Sequence, residues 1–407
     1  MADRRPRVVD RRLPVMLLLL LLLLLVAALL AGPATPAAAQ ATTADTVDDE
    51  VTAAGAVLWD PLDGRALWAR APSTPRRMAS TTKIMTALLA VEAGTLDATV
   101  TVSAAAAAAD AVPGAATLNL RAGQQVAMRS LLTALMMRSG NDAAAAVAEH
   151  VAGREEAFVE AMNARARQLD LDDTRFLDAT GLSDSAAHHT SPVDLARLAQ
   201  TAMRLPGFAD LVGTYRADVP GFGTLTSRNL LLDSYRGATG VKTGYTALAG
   251  LCLVASATRD GRTYYAVVLD SDDAFADTTV LLDHAFTGFT VAAADDVAAG
   301  SYRTAAGTVA LRIVDSAPHT VPVTATVRVR SSLLPTPPRR LADGTRLGRA
   351  ELIVDGEVVD TATIESAAAL DGAPPAAPAA AAGTAMEDAI RAFARATPRR
   401  TSVPTGG

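Results

Sequence analysis

Apolar residues recur along this chain with two different periods, and the changes of period divide it. Two short runs, Ala56-Val57-Leu58-Trp59 and Ala66-Leu67-Trp68, flank Asp60-Pro61-Leu62-Asp63-Gly64. The Asp, Pro and Gly between them supply turn chemistry, so the pattern predicts a hairpin over 53–70 with Trp59 and Trp68 as packing residues. From Ser80 to about Arg204 helical spacing takes over. Ile84, Leu88 and Leu89 follow Ser80, while Leu131, Leu132, Leu135 and Met136 precede Ser139, and Phe158, Met162 and Leu169 mark a further helix. Strand patterns return at 250–257 and 263–269 around the turn Arg259-Asp260-Gly261-Arg262, and 280–289 predicts a closing helix. Helices enclosed by N-terminal and C-terminal strands predict an α/β domain over 53–290, an antiparallel sheet with helices on both sides.

Beyond residue 291 the period stays at two. The runs 309–314, 320–329 and 350–359, with Asp343-Gly344 and Asp355-Gly356 as turns, predict a small all-β domain over 291–370. Residues 371–407 read as an Ala/Pro linker and a tail, within which Met386, Ile390 and Phe393 share one face of a short helix. That face suits a membrane surface or a partner; a loosely ordered tail is the alternative. The other end differs in kind. Five arginines precede nine consecutive leucines, and Ala37-Ala38-Ala39 and Ala39-Gln40-Ala41 both resemble signal-peptidase sites. Residues 1–41 therefore read as a signal peptide, with an uncleaved membrane anchor as the alternative, and either outcome exports the remainder of the chain. Residues 42–52 are polar and acidic and are expected to form a flexible lead.

Composition narrows the chemistry. The net charge of the 407 residues is −6 and no stretch is dense in cations, which argues against nucleic-acid partners. A single cysteine, Cys252, excludes an internal disulfide and multi-cysteine zinc sites, and its apolar neighbours predict a small buried hydrophobe. The cations are the informative feature. Lys and Arg total 37, yet only Lys83 and Lys242 are lysines. A guanidinium keeps its proton, whereas a buried ammonium can lose it, so lysines in an arginine background are candidates for catalytic amines.

Lys83 lies three residues after Ser80 in Ser80-Thr81-Thr82-Lys83. On a helix that spacing puts the amine within reach of the hydroxyl, and the free N–H groups at a helix start favour developing negative charge. Lys242 lies in Val241-Lys242-Thr243-Gly244, where a strand would carry a cation and a hydroxyl along the rim of a groove. Thr243 would bond a substrate carboxylate, and Gly244, lacking a side chain, would let a substrate backbone approach. Ser139-Gly140-Asn141 ends one predicted helix and begins another; Ser139 is a candidate proton relay and Asn141 a candidate anchor for a substrate amide. Each motif is weak alone, and the three in chain order form a known catalytic set.

With these motifs the sequence resembles the low-molecular-mass penicillin-binding proteins, the serine-type D-alanyl-D-alanine carboxypeptidases, over about 53–289. The resemblance implies the penicillin-binding/β-lactamase-like fold, with 291–366 similar to the β-rich domain of many members. It implies that Ser80 is the nucleophile, Lys83 the base, and the backbone N–H groups of Ser80 and Tyr245 an oxyanion hole. Peptidoglycan stem peptides are the implied substrates and β-lactams the inhibitors; peripheral membrane or wall association stays open. No metal or cofactor is implied. One departure is evident: where the family often carries an Arg for the terminal carboxylate, counting back from Leu281-Leu282 reaches Ala274.

Rival readings remain at this level. A β-lactamase on the same fold would need a water-activating residue, and Glu160 ahead of Asn163 only superficially resembles one. A DD-endopeptidase or transpeptidase would use the same residues. A weakly active wall-binding protein is the reading of another class, supported by the missing Arg alone. A Ser–His–Asp site would need His188 or His189, but their polar surroundings predict solvated loop residues.

Overall fold

A computed structural model of the chain describes residues 44–109, 115–304, 307–335 and 341–370. The expected signal peptide, the Ala/Pro linker and the helix at 385–396 lie outside the described residues. No helix among the described residues is long and apolar enough to cross a membrane.

The predicted hairpin forms as β1 (Gly55–Asp60) and β2 (Arg65–Arg70). Small antiparallel pairs that periodicity did not foresee, β3 (Thr99–Thr101) with β4 (Gln125–Ala127) and β5 (Arg216–Val219) with β6 (Gly223–Thr226), brace the helical region. The chain then runs through β7 (Ala238–Thr246), β8 (Gly250–Arg259) and β9 (Arg262–Ser271). Five of these strands make one antiparallel sheet in the order β2-β1-β9-β8-β7, which leaves β7 at an edge.

Both faces of this sheet are buried, and strand alternation assigns residues to each. On one face Val57, Trp59, Val254, Tyr265, Val267 and Leu269 pack against most of the helices. On the other, Leu58, Leu253, Ala255, Tyr264, Ala266 and Val268 pack against the helices Ala44–Glu50 and Ala274–Gly288. Burial of one such Leu or Val side chain contributes roughly 1.5–3 kcal/mol, so the two layers hold the sheet rigid.

Two sequence expectations need correction here. Residues 44–50 form a helix instead of a flexible lead: Val47 and Val51 are buried, and Arg70 donates to the Asp48 and Val51 carbonyls. The closing helix begins at Ala274, six residues before its apolar run, because the Asp273 carboxylate accepts from Phe275 N and Ala276 N and so caps it.

The β-rich region follows β10 (Phe289–Ala292). Its sheet orders β11 (Ser301–Thr304), β12 (Gly307–Val314), β16 (Glu357–Ser366), β15 (Arg346–Val354) and β14 (Val327–Leu333), while β13 (His319–Pro322) pairs with β10. The expected strand 320–329 is thus two strands split by a turn, and 350–359 is the hairpin between β15 and β16, bent at Asp355-Gly356. Leu311, Leu347, Leu352 and Ile364 form its own small core. Asp63, in the β1–β2 turn, accepts from Thr320 N and contacts His319 Nδ1 at 3.0 Å, which ties this region to the larger sheet.

Candidate active site

Ser80 lies in a 3₁₀ turn, Ala79–Thr82, immediately before the helix Lys83–Glu92. The helix start is therefore one turn later than its apolar spacing suggests. Ala79 is held at φ +45°, a left-handed conformation that costs an L-residue about 1–2 kcal/mol, and it precedes the candidate nucleophile. The neighbouring loop fits against it: Gly181 has φ +83°, and any side chain there would collide with the Ala79 carbonyl.

The Lys83 amine is fully buried yet saturated with acceptors. It donates to Ser80 Oγ at 3.0 Å, to Asn141 Oδ1 at 2.8 Å and to the Thr180 carbonyl. Burial is the main cause that lowers its pKa to about 7; Arg228 adds to the effect, while Asp178 and Asp142 oppose it. Near neutral pH this amine is therefore divided between the charged form and the neutral form that can accept a proton.

Ser139 joins the helices Met128–Arg138 and Asn141–Ala152 and adopts φ +68° as the left-handed end of the first. Its hydroxyl is buried and has no hydrogen-bond partner among the described residues. A buried hydroxyl left unpaired costs about 1–3 kcal/mol, which a bound substrate could recover. Asn141 was expected to face a substrate amide; its carbonyl oxygen is instead committed to Lys83, which leaves the amide nitrogen for that role.

Edge strand β7 carries Lys242, Thr243, Gly244 and Tyr245 beside the Ser80 turn. An ideal Cβ on Gly244 would lie 3.2 Å from Ser80 N and 3.1 Å from the Met78 carbonyl, so a side chain there would push the strand back from the Ser80 turn by a few tenths of an ångström. Lys242 is 1% exposed and donates to the Thr243 carbonyl at 2.9 Å. Its pKa falls well below the usual lysine value through burial first, then through the charges of Lys83 and Arg228. The two lysines thus sense one another, and the three sequence motifs converge. Tyr245 is 65% exposed at the outer end of the strand.

Two contributors escaped the sequence. Arg228 follows β6, donates its backbone N–H to the Met137 carbonyl, and perturbs both lysine amines. Its guanidinium is exposed and has no hydrogen bond or ion pair among the described residues, as holds for several other arginines, and nothing in an arginine-rich sequence marked it. His188, expected in solvent, is instead 1% exposed and bonded to Thr82 and to the Leu177 backbone. His189 stays partly exposed; its backbone pairs with Arg175 and its ring Nδ1 contacts the Ala186 carbonyl. Other expectations hold: Glu160 is exposed, Asn163 bonds the Val159 and Phe176 backbone, and Cys252 is buried on β8. Ala274 is buried at the start of its helix and offers no cation.

A family model described as D-alanyl-D-alanine carboxypeptidase matches residues 39–273, more than half of the chain. The chain is 34% identical to D-alanyl-D-alanine carboxypeptidase DacF of Bacillus subtilis (strain 168) over 58% of its own length, and spans 63% of that relative's length. It is 35% identical to the D-alanyl-D-alanine carboxypeptidase of Streptomyces sp. (strain K15), covering 58% of this chain and 88% of that protein. Among solved structures, penicillin binding protein 6B from Escherichia coli superposes with a TM-score of 0.63 at 29% identity, over 77% of this chain and 95% of that one. The chain belongs to the D-alanyl-D-alanine carboxypeptidase family.

Proposed function

We propose that this chain is an exported serine carboxypeptidase that removes the terminal D-alanine from peptidoglycan stem peptides and is acylated by β-lactams. The observation that carries the reading is the buried Lys83 amine, 3.0 Å from Ser80 Oγ and with a pKa near 7. Ser80 Oγ attacks the carbonyl carbon between the two D-alanines as its proton passes to Lys83 Nζ. The backbone N–H groups of Ser80 and Tyr245 hold the developing oxyanion. The peptide C–N bond then breaks as Ser139 Oγ passes its proton to the departing amine and takes up in its place the proton held by Lys83 Nζ, and D-alanine leaves with Lys83 neutral again. Water attacks the resulting ester, returns the proton through Lys83 and frees Ser80. Asn141 Nδ2 and the open edge of β7 hold the peptide in an extended conformation. Export rests on the signal-like segment 1–41 and places the enzyme outside the cytoplasmic membrane.

The departing residue carries a carboxylate, and Ala274 cannot bind it. Thr243 Oγ1 and the Arg228 guanidinium are the groups beside Lys242 suited to do so, the latter because no carboxylate of the described residues already neutralises it. Arg228→Gln is expected to raise KM for a D-Ala-D-Ala peptide about tenfold, the worth of a charge-assisted hydrogen bond, with kcat within about threefold. Steady-state kinetics on the two proteins would measure this, and an unchanged KM would remove Arg228 from the substrate site.

The proposed activity is tested by incubating the exported form with a tripeptide ending in D-Ala-D-Ala and assaying free D-alanine. Release of one D-alanine per peptide supports it. Intact peptide, together with steady turnover of nitrocefin, would favour a β-lactamase. Among the described residues Glu160, the candidate water-activating glutamate, is exposed and the Asn163 side chain is tied to the backbone, which does not favour such an enzyme.

A further inference from the structure

His188 is buried, lies outside the three motifs and touches two segments that must stay in register. Its bonding pattern fixes its protonation. Leu177 N donates to Nδ1 at 3.0 Å, so Nδ1 carries no proton. Thr82 Oγ1 donates its own proton to the Ala79 carbonyl at 2.9 Å, so at 2.9 Å from His188 Nε2 it must accept. The imidazole is therefore neutral with its proton on Nε2. Phe176 packs edge-on against the ring, at 6.2 Å between centroids, and the other charged or titratable groups acting on it are Asp178, His189 and Lys83.

The two segments are the turn that carries Ser80 and leads into Lys83, and the loop that hydrogen-bonds the Lys83 amine. Through Thr82, His188 holds the Ala79 carbonyl, which belongs to the left-handed residue directly before Ser80. Through Leu177 it holds the loop whose Asp178 accepts from Thr180 N, Gly181 N and Ser183 N. That loop supplies the Thr180 carbonyl to the Lys83 amine, and its Gly181 packs on Ala79. We propose that His188 is a positioning residue for the acylation step: its neutral ring, acting through Thr82, locks the turn that carries Ser80 to the loop that holds Lys83.

The inference rests on the serine-enzyme reading above, and the experiment separates the two. Acylation by a fluorescent penicillin is followed by stopped flow for wild type, Thr82→Val, Thr82→Ser, His188→Asn and the Thr82→Val/His188→Asn double variant, with Tm recorded for each. Thr82→Val and His188→Asn should each slow acylation about 10²-fold, the cost of a misplacement near 1 Å, while reversible binding of the drug stays within about threefold. Thr82→Ser, which keeps the hydroxyl, should restore most of the rate. The double variant should be no slower than either single one within about threefold, because both changes break the same chain of bonds. A folded Thr82→Val enzyme that acylates at the wild-type rate would overturn the proposal, as would single effects that multiply or a loss confined to drug binding. If Thr82→Val does not fold, His188→Asn, which keeps an acceptor near the place of Nδ1, carries the same test. Persistent labelling of Ser80→Ala would reject the serine reading itself, whereas a fast Thr82→Val enzyme would reject the positioning role alone.

Discussion

Ser80→Ala is expected to eliminate covalent labelling by fluorescent penicillin and to lower D-alanine release to the level of a scaffold without a nucleophile, a loss on the order of 10⁶-fold in kcat for a serine hydrolase. The effect should be this large because the structure offers no substitute. Ser139 Oγ is buried in the same cleft, but the Lys83 amine donates to Ser80, Asn141 and Thr180, and Ser139 is not among its partners. The Cys252 thiol is buried on β8 and its pKa is pushed up to about 12 by burial, so it is not a nucleophile at neutral pH. Ser80 is only partly buried within its 3₁₀ turn, so loss of its hydroxyl should leave Tm within a degree or two, as surface-type changes do. Gel fluorescence and circular dichroism measure the two quantities. Labelling of the Ser80→Ala protein would move the nucleophile elsewhere.

Lys83→Arg should be nearly as damaging for a different reason. The guanidinium retains charge and hydrogen-bond capacity but does not give up its proton, so it cannot take one from Ser80. Loss of general-base catalysis predicts slower acylation by about 10²–10⁴-fold. The wild-type pH profile carries the same message. With the Lys83 pKa lowered to about 7, the amine is protonated and inactive as a base below that value, and the neutral fraction grows above it. The acylation rate should therefore climb through an acid limb near pH 7 and then level, and the limb should vanish in Lys83→Arg. A rate that rises only near pH 10 would mean that burial does not depress this amine. Because Lys83 is fully buried, Lys83→Gln serves as a smaller, uncharged variant should the arginine fail to fit, and the same loss is expected.

Most of what the site needs was legible in the residues themselves. Lysine stands out in this chain only because arginine replaces it everywhere else, and both lysines belong to the cleft. Local periodicity located β1, β2, β8 and β9 within a residue or two, since each is bounded by turn residues and carries a compact apolar run. It failed where a strand is short or solvated on one side. The run 320–329 mixes small and β-branched residues evenly, so nothing in the period revealed the turn that separates β13 from β14. The helix Ala44–Glu50 escapes the pattern because charged residues surround the buried Val47.

Arg228 and His188 mark a different limit. Each owes its role to long-range packing. The neighbours of His188 in sequence are polar and small, and only the return of the loop to the Ser80 turn, 106 residues earlier, buries it against Thr82. Arg228 is one arginine among many until β6 and the backbone bond to Met137 bring it beside two lysines. Residue type pointed to side chains that the fold brings together where that type is rare in the composition, and missed them where the composition is crowded with the same side chain.

One hydroxyl, Ser80 Oγ, is the group activated in this cleft, and every other role assigned above depends on it. The direct measurement is mass spectrometry of the protein after brief exposure to benzylpenicillin, with the adduct mapped in a tryptic digest. Cleavage after Arg77 and after Lys83 would isolate residues 78–83 as one peptide. A single penicilloyl group is expected on that peptide, localised to Ser80 by fragmentation. An adduct on Ser139, on Cys252 or on any other peptide, or an unmodified protein that hydrolyses nothing, would contradict this assignment.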